Sequence, residues 1–378
     1  MKCKTVLLKD LVLGENGSYG IGAPAVDYDP KKYTYLRITD INDDGSINTN
    51  GLKSVDAEDA YKYVLQENDI VFARTGASTG KTYFYQPQDG TLVYAGFLIK
   101  FSIDPRKVNP RLLKYITHSQ EYYNWVRSFD TGGTRGNINA VTFANMPITL
   151  PNRATQDKIV AILSSLDDKI ELNRRINANL EQQAQALYKS WFVDNKKDDW
   201  EKKRLDDIIS IYDSQRKPLS GQQREKMEKI YPYYGAASLM DYVDNYLFDG
   251  IYLLLGEDGT VSDSEGFPML QYVWGKFWVN NHAHILQGKN GFTTESLYIL
   301  LKQTNVSSIV TGAVQPKISQ ANLKSVPIIM PPINLLNQYN NIIKPIFNQI
   351  RINHNQIQQL STLRDTLLPK LMSGEITV

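Results

Sequence analysis

The feature that most constrains this chain of 378 residues is a heptad seam between Pro151 and Val193. Apolar or small residues recur there at alternating steps of four and three, and no Pro or Gly interrupts the run after Pro151. The seam positions are Ile159, Leu163, Leu166, Ile170, Asn173, Asn177, Leu180, Ala184, Leu187 and Trp191. A seam of this length predicts a long helix that buries one stripe against a partner helix.

The partner helix is predicted within the same chain. The positions 180 residues further on form a second, mostly apolar seam: Tyr339, Ile343, Ile346, Ile350, Asn353, Ile357, Leu360, Arg364, Leu367 and Leu371. The match begins before the helices, because Thr131-Gly132 corresponds to Thr311-Gly312, and MPITLP (146–151) is similar to VPIIMP (326–331). A repeat of so long a period indicates a duplicated half-molecule rather than a solenoid.

A variable region precedes each predicted helix. Alternating or apolar stretches predict strands at 32–41, 69–74, 92–103 and 277–288, and helical spacing predicts a helix at 110–129. A charged linker at 194–204 leads into a second copy of the N-terminal LLKDLV motif, in which Leu8 corresponds to Leu205 at an offset of 197. Because this offset exceeds 180, the first region carries longer loops than the second.

Two features of the predicted helices leave alternatives open. Asn173 and Asn177 place two polar residues in the first seam, which either fix register and partner or mark a solvated break where the helices diverge. Pro345 lies near the start of the second helix, predicted at about 332–372, and indicates either a kink or a short separate first turn.

The composition indicates more about the location of the protein than about its function. No run approaches 18 apolar residues and the N terminus lacks a long apolar core, so we expect neither a membrane span nor a signal peptide. Cys3 is the single cysteine, which excludes an internal disulfide framework and favours a cytoplasmic location. The net charge of +2 does not indicate a nucleic-acid binder, yet local basic patches bind DNA in chains of balanced charge.

The segment GASTGKT (76–82) ends like a phosphate-binding loop. Only three residues separate Gly76 from Gly80, where that loop requires four, and the following TYFYQPQ is strand-like rather than helical. Without a helix there is no dipole at the phosphate. We therefore interpret the segment as a surface loop rich in hydrogen-bond donors, including several free backbone N–H groups, which can contact DNA phosphates and base edges.

No constellation of residues predicts catalysis by this chain alone. His282 and His284 lack an accompanying Cys or a carboxylate at useful spacing, so we expect a hydrogen-bonding role rather than a metal site. The carboxylates Asp43, Asp44, Asp167, Asp168, Glu257 and Asp258 are placed by context on turns and helix surfaces. Pro331-Pro332-Ile333-Asn334 does not have the order of the catalytic motif of amino-methylating DNA enzymes.

Together these features resemble the specificity subunit of type I restriction-modification systems over essentially the whole chain. The resemblance depends on the order of domains and helices, the duplication and several stretches. These are DIVFARTGASTGKT (69–82), ALYKSWFVD (186–194), IYPYYGAASLMDYVDNYLFDGIYLLLGEDGT (230–260), GKFWVNNHAHIL (275–286) and RDTLLPKLMSGEI (364–376), the last being the most specific.

The resemblance implies an α+β fold with an internal pseudo-two-fold duplication. Two mixed α/β target recognition domains, 1–150 and 198–330, would alternate with two long antiparallel coiled-coil helical segments, 151–197 and 331–378. Each domain would read one half of a split, asymmetric site in double-stranded DNA. The first seam spans about 50 Å at the α-helical rise, which exceeds the roughly 34 Å of one DNA turn.

The resemblance also implies partners. The helices would dock modification (methyltransferase) subunits, two per chain, and restriction subunits would bring the nuclease and motor. No cofactor is then expected in this chain, because the methyl donor, Mg and ATP would be used by those partners. The DNA-binding residues that we predict from the loops and strand ends are Arg74, Thr75, Ser78, Thr79, Lys81, Arg135, Asn137, Tyr234, Lys276, Asn280, Asn281, His282, Gln315 and Lys317.

Three other functions remain open at this point. A stand-alone nuclease or methyltransferase is disfavoured by the missing motifs. A coiled-coil adaptor without a DNA role is disfavoured by the donor-rich loops at equivalent places in both halves. A specificity subunit of a modification-only complex has the same sequence features as one that also serves restriction.

Overall fold

The computed structural model describes residues 3–14, 16–49, 51–129, 136–312 and 314–378. It divides into two compact units, 1–171 with 357–378, and 172–356. Each unit holds one α/β domain together with one end of each long helix. The unit boundaries fall within the two long helices, because the helix ends pack into the domain cores.

The first unit contains three small sheets. Its strands are β1 (Lys4–Leu7), β2 (Ser18–Tyr19), β3 (Ala25–Asp27), β4 (Tyr33–Leu36), β5 (Lys53–Val55), β6 (Asp69–Ala73), β7 (Thr82–Phe84), β8 (Leu92–Tyr94), β9 (Leu98–Ser102) and β10 (Pro147–Leu150). Its sheet orders are β1-β10, β2-β9-β6-β7 and β3-β5-β4-β8. The helices are α1 (Pro110–Ile116), α2 (Gln120–Arg127), α3 (Ala140–Ala144) and the start of α4 (Arg153–Tyr188), whose far end continues as a π-helical turn at Lys189–Asp194.

The second unit contains one larger sheet of order β12-β17-β15-β16-β13-β14 and the pair β11-β18. The strands are β11 (Glu201–Arg204), β12 (Ile209–Ile211), β13 (Tyr231–Tyr234), β14 (Leu239–Val243), β15 (Phe248–Gly256), β16 (Leu270–Val279), β17 (Ala283–Gly288) and β18 (Pro327–Met330). The helices are α5 (Gly221–Glu225), α6 (Thr294–Lys302), α7 (Gln320–Ser325) and the start of α8 (Ile333–Ser373).

The duplication extends to the register of the strands. Lys4 pairs with Leu150 in β1-β10, and Glu201 pairs with Met330 in β11-β18, which are the predicted offsets of 197 and 180. The order β2-β9-β6-β7 of the first unit recurs as β12-β17-β15-β16 in the second. This arrangement confirms the predicted α+β class and the internal duplication.

The two long helices pair within each unit. In the first unit Ile159 and Leu163 of α4 share a core with Leu368 and Leu371 of α8. In the second, Ala184 shares a core with residues near the start of α8. Since each unit pairs the beginning of one helix with the end of the other, the helices run antiparallel. No helix in the described ranges is both long and apolar enough to cross a membrane.

In the structure, the predicted seam residues form a stripe of buried and partly buried side chains along each long helix, which we call the inner stripe. Those that are buried are Leu163, Ile170, Asn173, Ile350 and Asn353, and those that are partly buried are Leu166, Leu180, Leu187, Ile346, Leu360 and Leu367. Val160, Leu336, Phe347 and Leu368 are buried as well, although they lie outside the two seams. The buried stripe is wider than a coiled-coil seam because the helix ends also contact domain cores.

The polar step in the seam is a set of side-chain hydrogen bonds. Nδ2 of Asn353 donates to Oδ1 of Asn177 at 2.8 Å, and Nδ2 of Asn177 donates to the Ile350 carbonyl at 3.3 Å. Asn173 donates to Gln356 at 3.1 Å. Asn173, Asn177 and Asn353 are at most 8% exposed. The polar part of the seam is therefore buried and hydrogen-bonded, and it is not a solvated break between the helices.

Several element predictions differ from the structure, and residues 92–103, for example, form the two strands β8 and β9 rather than one strand. Residues 110–129 form two helices, because Ser119 caps a new helix by accepting from the Tyr122 N–H at 3.2 Å. Residues 277–288 are divided between β16 and β17 by a turn at 280–282. Helix α8 continues through Pro345, which lies two residues from each of the buried Ile343 and Phe347, so packing holds the helix together despite the proline.

Candidate nucleic-acid interface

In the first unit, the chain that leaves β6 meets the chain that leads into α3. We call this place the first junction, formed by residues 74–81 and 136–138. The Ile138 N–H donates to the Arg74 carbonyl at 2.9 Å, and Thr75 pairs with Asn137 in an isolated bridge. Oγ1 of Thr79 donates to the Gly136 carbonyl at 2.9 Å. Segments far apart in sequence are thereby fixed to each other.

The loop 74–81 is closed on itself. Gly76 begins a short 3-10 turn at a φ of +74°, which favours glycine over other residues. The backbone N–H groups of Thr79, Gly80 and Lys81 donate to carbonyls of Gly76, Ala73 and Ser78. The expectation of several free backbone donors is therefore wrong for these three groups. The element that follows the loop in the chain is strand β7 rather than a helix.

Arg74 is the principal basic group of the first junction. Its guanidinium lies over the Tyr19 ring, with Cζ 5.1 Å from the ring centroid, and its backbone N–H donates to the Phe97 carbonyl at 3.1 Å. Nε is buried without a hydrogen-bond partner, and the described residues provide no carboxylate for the guanidinium. Tyr19 and Phe97 are 43% and 58% exposed. A partly exposed cation thus lies beside two accessible aromatic rings.

The other residues predicted in this loop lie at or beside the junction. The Lys81 ammonium group has two partners within the protein. Its Nζ contacts Oδ1 of Asp43 at 2.8 Å and donates to the Ile41 carbonyl at 3.3 Å. Thr75 and Ser78 are partly buried, and Asn137 is exposed. Arg135 lies outside the described residues, as does the Thr131-Gly132 start of the loop.

The second unit contains the same construction. We call it the second junction, formed by residues 257–261 after β15 and 311–318 before α7, of which 313 is outside the described ranges. The Ile318 N–H donates to the Glu257 carbonyl at 2.8 Å, and Asp258 pairs with Lys317. Gly259 has a φ of +80°, like Gly76. These bonds reproduce those of the first junction, at the ends of the equivalent strands β6 and β15.

One equivalent position carries opposite charges in the two junctions. Glu257 occupies the place of Arg74, and its carboxylate contacts Arg216 Nη1 at 2.6 Å and Lys317 Nζ at 3.3 Å. Asp258 Oδ1 is bonded to Nδ1 of His282 at 2.5 Å. The two domains thus present different hydrogen-bonding groups on the same backbone frame, as domains that recognise different partners would require.

The predicted residues of the second unit fall into two groups. Asn281, Gln315 and Lys317 are exposed at the second junction or the adjoining turn, and the His282 side chain is 45% exposed. Asn280 is only 3% exposed, because its Oδ1 accepts from the His282 N–H and its Nδ2 contacts Met240. Asn280 therefore holds the turn in place.

Tyr234 and Lys276 lie on strands β13 and β16, and the Tyr234 carbonyl accepts from the Asn280 N–H at 3.0 Å. The Tyr234 ring packs edge-on against Phe277, with 5.9 Å between centroids, and burial raises its pKa to about 12. Lys276 is exposed in the middle of β16, and its Nζ lies 4.6 Å from the Tyr246 ring centroid. The Tyr234 side chain thus packs within the sheet, whereas the Lys276 side chain is exposed on it.

A buried group of charged residues lies beneath the second junction. Carboxylate and imidazole donors of Asp213, Glu257 and His284 lie within 4.8 Å of one another. Both ring nitrogens of His284 already face oxygen atoms, and Arg216 contacts both carboxylates. Within the described part of the chain, each of these three side chains therefore already has hydrogen-bond or ion-pair partners.

The ionisation of Asp213 fits this network. Burial acts to raise its pKa, but the contacts with His284, the Ile285 N–H and Arg216 outweigh burial and leave the pKa below its ordinary value. Oδ1 accepts from the Ile285 N–H at 2.9 Å, and Oδ2 accepts from Gln320 at 2.5 Å. The Asp213 carboxyl is thus a carboxylate in the core.

Sequence reasoning missed several of these residues. Tyr19 and Phe97 carry no motif, and only the strand register brings them beside Arg74. Asp213 and Arg216 are distant in sequence from His284. Asp167 was expected on a helix surface, yet it is an interior ion-pair partner of Lys114 at 2.6 Å and Arg364 at 2.9 Å. Its surroundings come from two other helices, which no local pattern indicates.

Comparison with known proteins agrees with the duplicated fold. Residues 2–182 and 197–362 each match the type I restriction modification DNA specificity domain, and the chain belongs to this family. The structure aligns over 98% of the chain, and 96% of the other chain, with the type I restriction-modification S subunit from M. genitalium, at a TM-score of 0.51 and 18% identity. That likeness concerns the fold.

Two curated relatives are similar in sequence. The type I restriction enzyme MjaIX specificity subunit of Methanocaldococcus jannaschii is 28% identical over 304 residues, 70% of this chain and 69% of that protein. A Haemophilus influenzae protein assigned as a type I restriction enzyme specificity subunit is 35% identical over 133 residues, 35% of this chain. The latter match spans about a third, 34%, of that relative's length.

Proposed function

We propose that this chain is the DNA-reading, non-catalytic subunit of a type I restriction-modification complex. Each α/β domain reads one half of a split, asymmetric site in double-stranded DNA through its junction. The observation that carries the proposal is the pair of junctions, closed by the same backbone bonds at equivalent strand ends but carrying different polar side chains. A common frame with different reading groups suits two half-sites of different sequence.

In this proposal, phosphate contacts position each domain and side chains at the junctions read the bases. Arg74 is the strongest candidate for reading in the first domain, because its guanidinium stacks on Tyr19, has no carboxylate partner in the part of the chain that the structure describes, and matches the two acceptors of a guanine edge. Asn137 is exposed beside it. In the second domain, Lys317, Gln315 and Asn281 are the exposed donors. Arg135 remains a predicted contact.

The chain's partners follow from the same proposal. Modification subunits, two per chain, dock on the outer faces of α4 and α8, where Ile162, Leu172, Ile342 and Ile352 are exposed apolar side chains. Those subunits use the methyl donor. Restriction subunits use Mg and ATP, and a modification-only complex would lack them. The proposed location of the protein is the cytoplasm, because the double-stranded DNA that it would read is found there.

The experiment that tests the function is methylome sequencing of a host that expresses the chain with its cognate modification subunit. We expect a new split motif, methylated at adenines in both halves. This result would also reveal the target and its spacer. The matched control is a host with the modification subunit alone. No new methylation from a complex whose assembly has been confirmed would contradict the proposal and favour the adaptor.

A further inference from the structure

His284 occupies a position that requires a proton on each ring nitrogen. It lies on β17 and is completely buried. Nδ1 faces Oδ2 of Asp213 at 2.6 Å, and Nε2 faces the Ile318 carbonyl at 2.8 Å. A neutral imidazole has one donor and one acceptor, so it satisfies only one of these oxygens. The carbonyl has no proton to give.

The proton between Nδ1 of His284 and Oδ2 of Asp213 does not lie on the Asp213 carboxyl group. Both oxygens of that carboxylate already accept hydrogen bonds, from the Ile285 N–H and from Gln320. Arg216 Nη2 lies 3.5 Å from Oδ2 and further stabilises the anion. With the carboxylate ionised, Nδ1 must be the donor of the 2.6 Å contact. His284 is therefore an imidazolium in the interior.

The remaining charged groups around His284 balance this cation. Glu257, at the end of β15, has Oε2 3.7 Å from Nδ1 of His284. The carboxylates of Glu257 and Asp213 face His284 and Arg216 inside the fold, and Lys317 contacts Glu257 from the exposed side. Loss of one His284 ring proton would leave either the Asp213 carboxylate or the Ile318 carbonyl without its donor. A buried acceptor without a donor is costly, so the loops around it would rearrange.

The imidazolium also holds the second junction in place. Ile318 donates its N–H to the Glu257 carbonyl, and its own carbonyl accepts from His284. Residue 318 is thus fixed on both sides, immediately after Lys317. The equivalent position in the first domain is Ile99, which pairs with Phe72 as His284 pairs with Leu255. Ile99 is equally buried but cannot carry charge.

We propose that His284, as an imidazolium, is a positioning residue for DNA reading by the second domain. Reading of the second half-site then depends on this proton, whereas reading of the first half-site does not. The inference rests on the proposed function, since the positioning role that it assigns to His284 belongs to DNA reading by the second domain. Its chemical basis, two protons on a buried ring, is testable without DNA.

The first test is nitrogen NMR of the complete chain labelled with ¹⁵N-histidine. The chain has 4 histidines, so the ring signals are few. His284→Gln assigns the signals of interest. We expect both His284 nitrogens to be protonated at the pH of the binding measurements, whereas His118 and His354 are neutral because burial lowers the pKa of each. A neutral His284 ring would overturn the inference, whatever the DNA results.

The second test uses DNA duplexes carrying the site found by methylome sequencing, with one base pair changed in either half. For the wild-type chain in its complex, we expect each change to weaken binding about tenfold or more. In His284→Gln the penalty in the second half should fall to about twofold or less, and the penalty in the first half should persist. His354→Gln, the same change on α8, should leave both penalties intact.

A pH series on the wild type covers the case in which His284→Gln does not fold. Raising the pH until the imidazolium signal disappears should reversibly reduce the second-half penalty alone. Equal loss in both halves, or no loss, contradicts the positioning role. If the wild type shows no penalty in either half while methylation is absent, the proposed function fails and the positioning role fails with it, although the NMR result still decides the protonation state.

Discussion

Asn353 donates a hydrogen bond from Nδ2 to Oδ1 of Asn177 at 2.8 Å, and both side chains are buried in the seam of the second unit. Asn177 in turn donates to the Ile350 carbonyl. A polar pair in an otherwise apolar seam lowers stability but admits only the register in which the two amides meet. The two helices are therefore aligned by these residues more strictly than by their apolar neighbours.

Replacing one member of this pair should be worse than replacing both. We expect Asn177→Leu to lower the free energy of unfolding by about 1–3 kcal/mol, because Nδ2 of the buried Asn353 loses its acceptor. The double variant Asn177→Leu with Asn353→Leu should recover most of that loss. Denaturant unfolding measures both variants. A double variant less stable than the single one would contradict this account of the pair.

The inner stripe of α4 should contribute far more to stability than its outer face. Leu163 is fully buried, whereas Leu172 on the same helix is 49% exposed. We expect Leu163→Ala to cost about 2–5 kcal/mol, and Leu172→Ala to change stability by about 0.5 kcal/mol or less. Thermal and denaturant unfolding give the comparison. Similar costs at the two positions would show that α4 does not pack as described.

Arg74 should affect which base is read in the first half-site. If its guanidinium contacts a guanine, Arg74→Ala should cost about 1–3 kcal/mol of binding free energy and relax the preference at one base pair. Arg106→Ala is the matched control, because Arg106 is exposed and paired with Asp104 in the same domain. Binding to a set of single-substitution duplexes measures the preference. An unchanged preference with Arg74→Ala would remove Arg74 from base reading.

Lys81 should act through charge rather than sequence. If its ammonium neutralises a phosphate, Lys81→Ala should weaken binding to all sequences alike and reduce the salt slope by about one unit. Its ion pair with the exposed Asp43 does not prevent this, since exposed pairs are weak and exchange readily. Affinity measured across a salt series provides the slope. The same slope in wild type and variant would place Lys81 outside the interface.

The first unit should lose stability in acid through Asp167. Burial acts to raise its pKa, but Lys114 and Arg364 outweigh burial and leave the folded-state pKa below its ordinary value. The folded state therefore binds this proton less readily than the unfolded state. The resulting stability is present above the unfolded pKa of about 3.9 and is lost as pH falls through the lower folded value.

Asp167→Asn should remove that contribution and flatten the acid limb of a stability profile. The matched control is Asp168→Asn, at the exposed neighbouring position. Unfolding midpoints across a pH series from neutral to acid provide the profile. A control that flattens the acid limb as much as Asp167→Asn would assign the effect to general charge rather than to the Lys114–Asp167–Arg364 ion pairs.

The sequence alone determined the duplication, the long helices and their seams. Each depends on a pattern that recurs along the chain: a heptad spacing, two offsets and paired turn motifs. The loops of the candidate site were also visible, because glycines and polar residues follow apolar strands at 74–81 and 257–260. These features are local or repeated, so they need no knowledge of which strands are neighbours.

Only the tertiary structure decided which side chains meet. Strand register brings Tyr19 and Phe97 to Arg74, and a turn at 280–282 buries Asn280 while it exposes Asn281. The hydrogen bonds of the His284 ring join it to Asp213, a residue 71 positions away, and to one backbone carbonyl. Charge, burial and hydrogen bonding at such points are set by distant segments, because desolvation and Coulomb interactions depend on distance in space rather than along the chain.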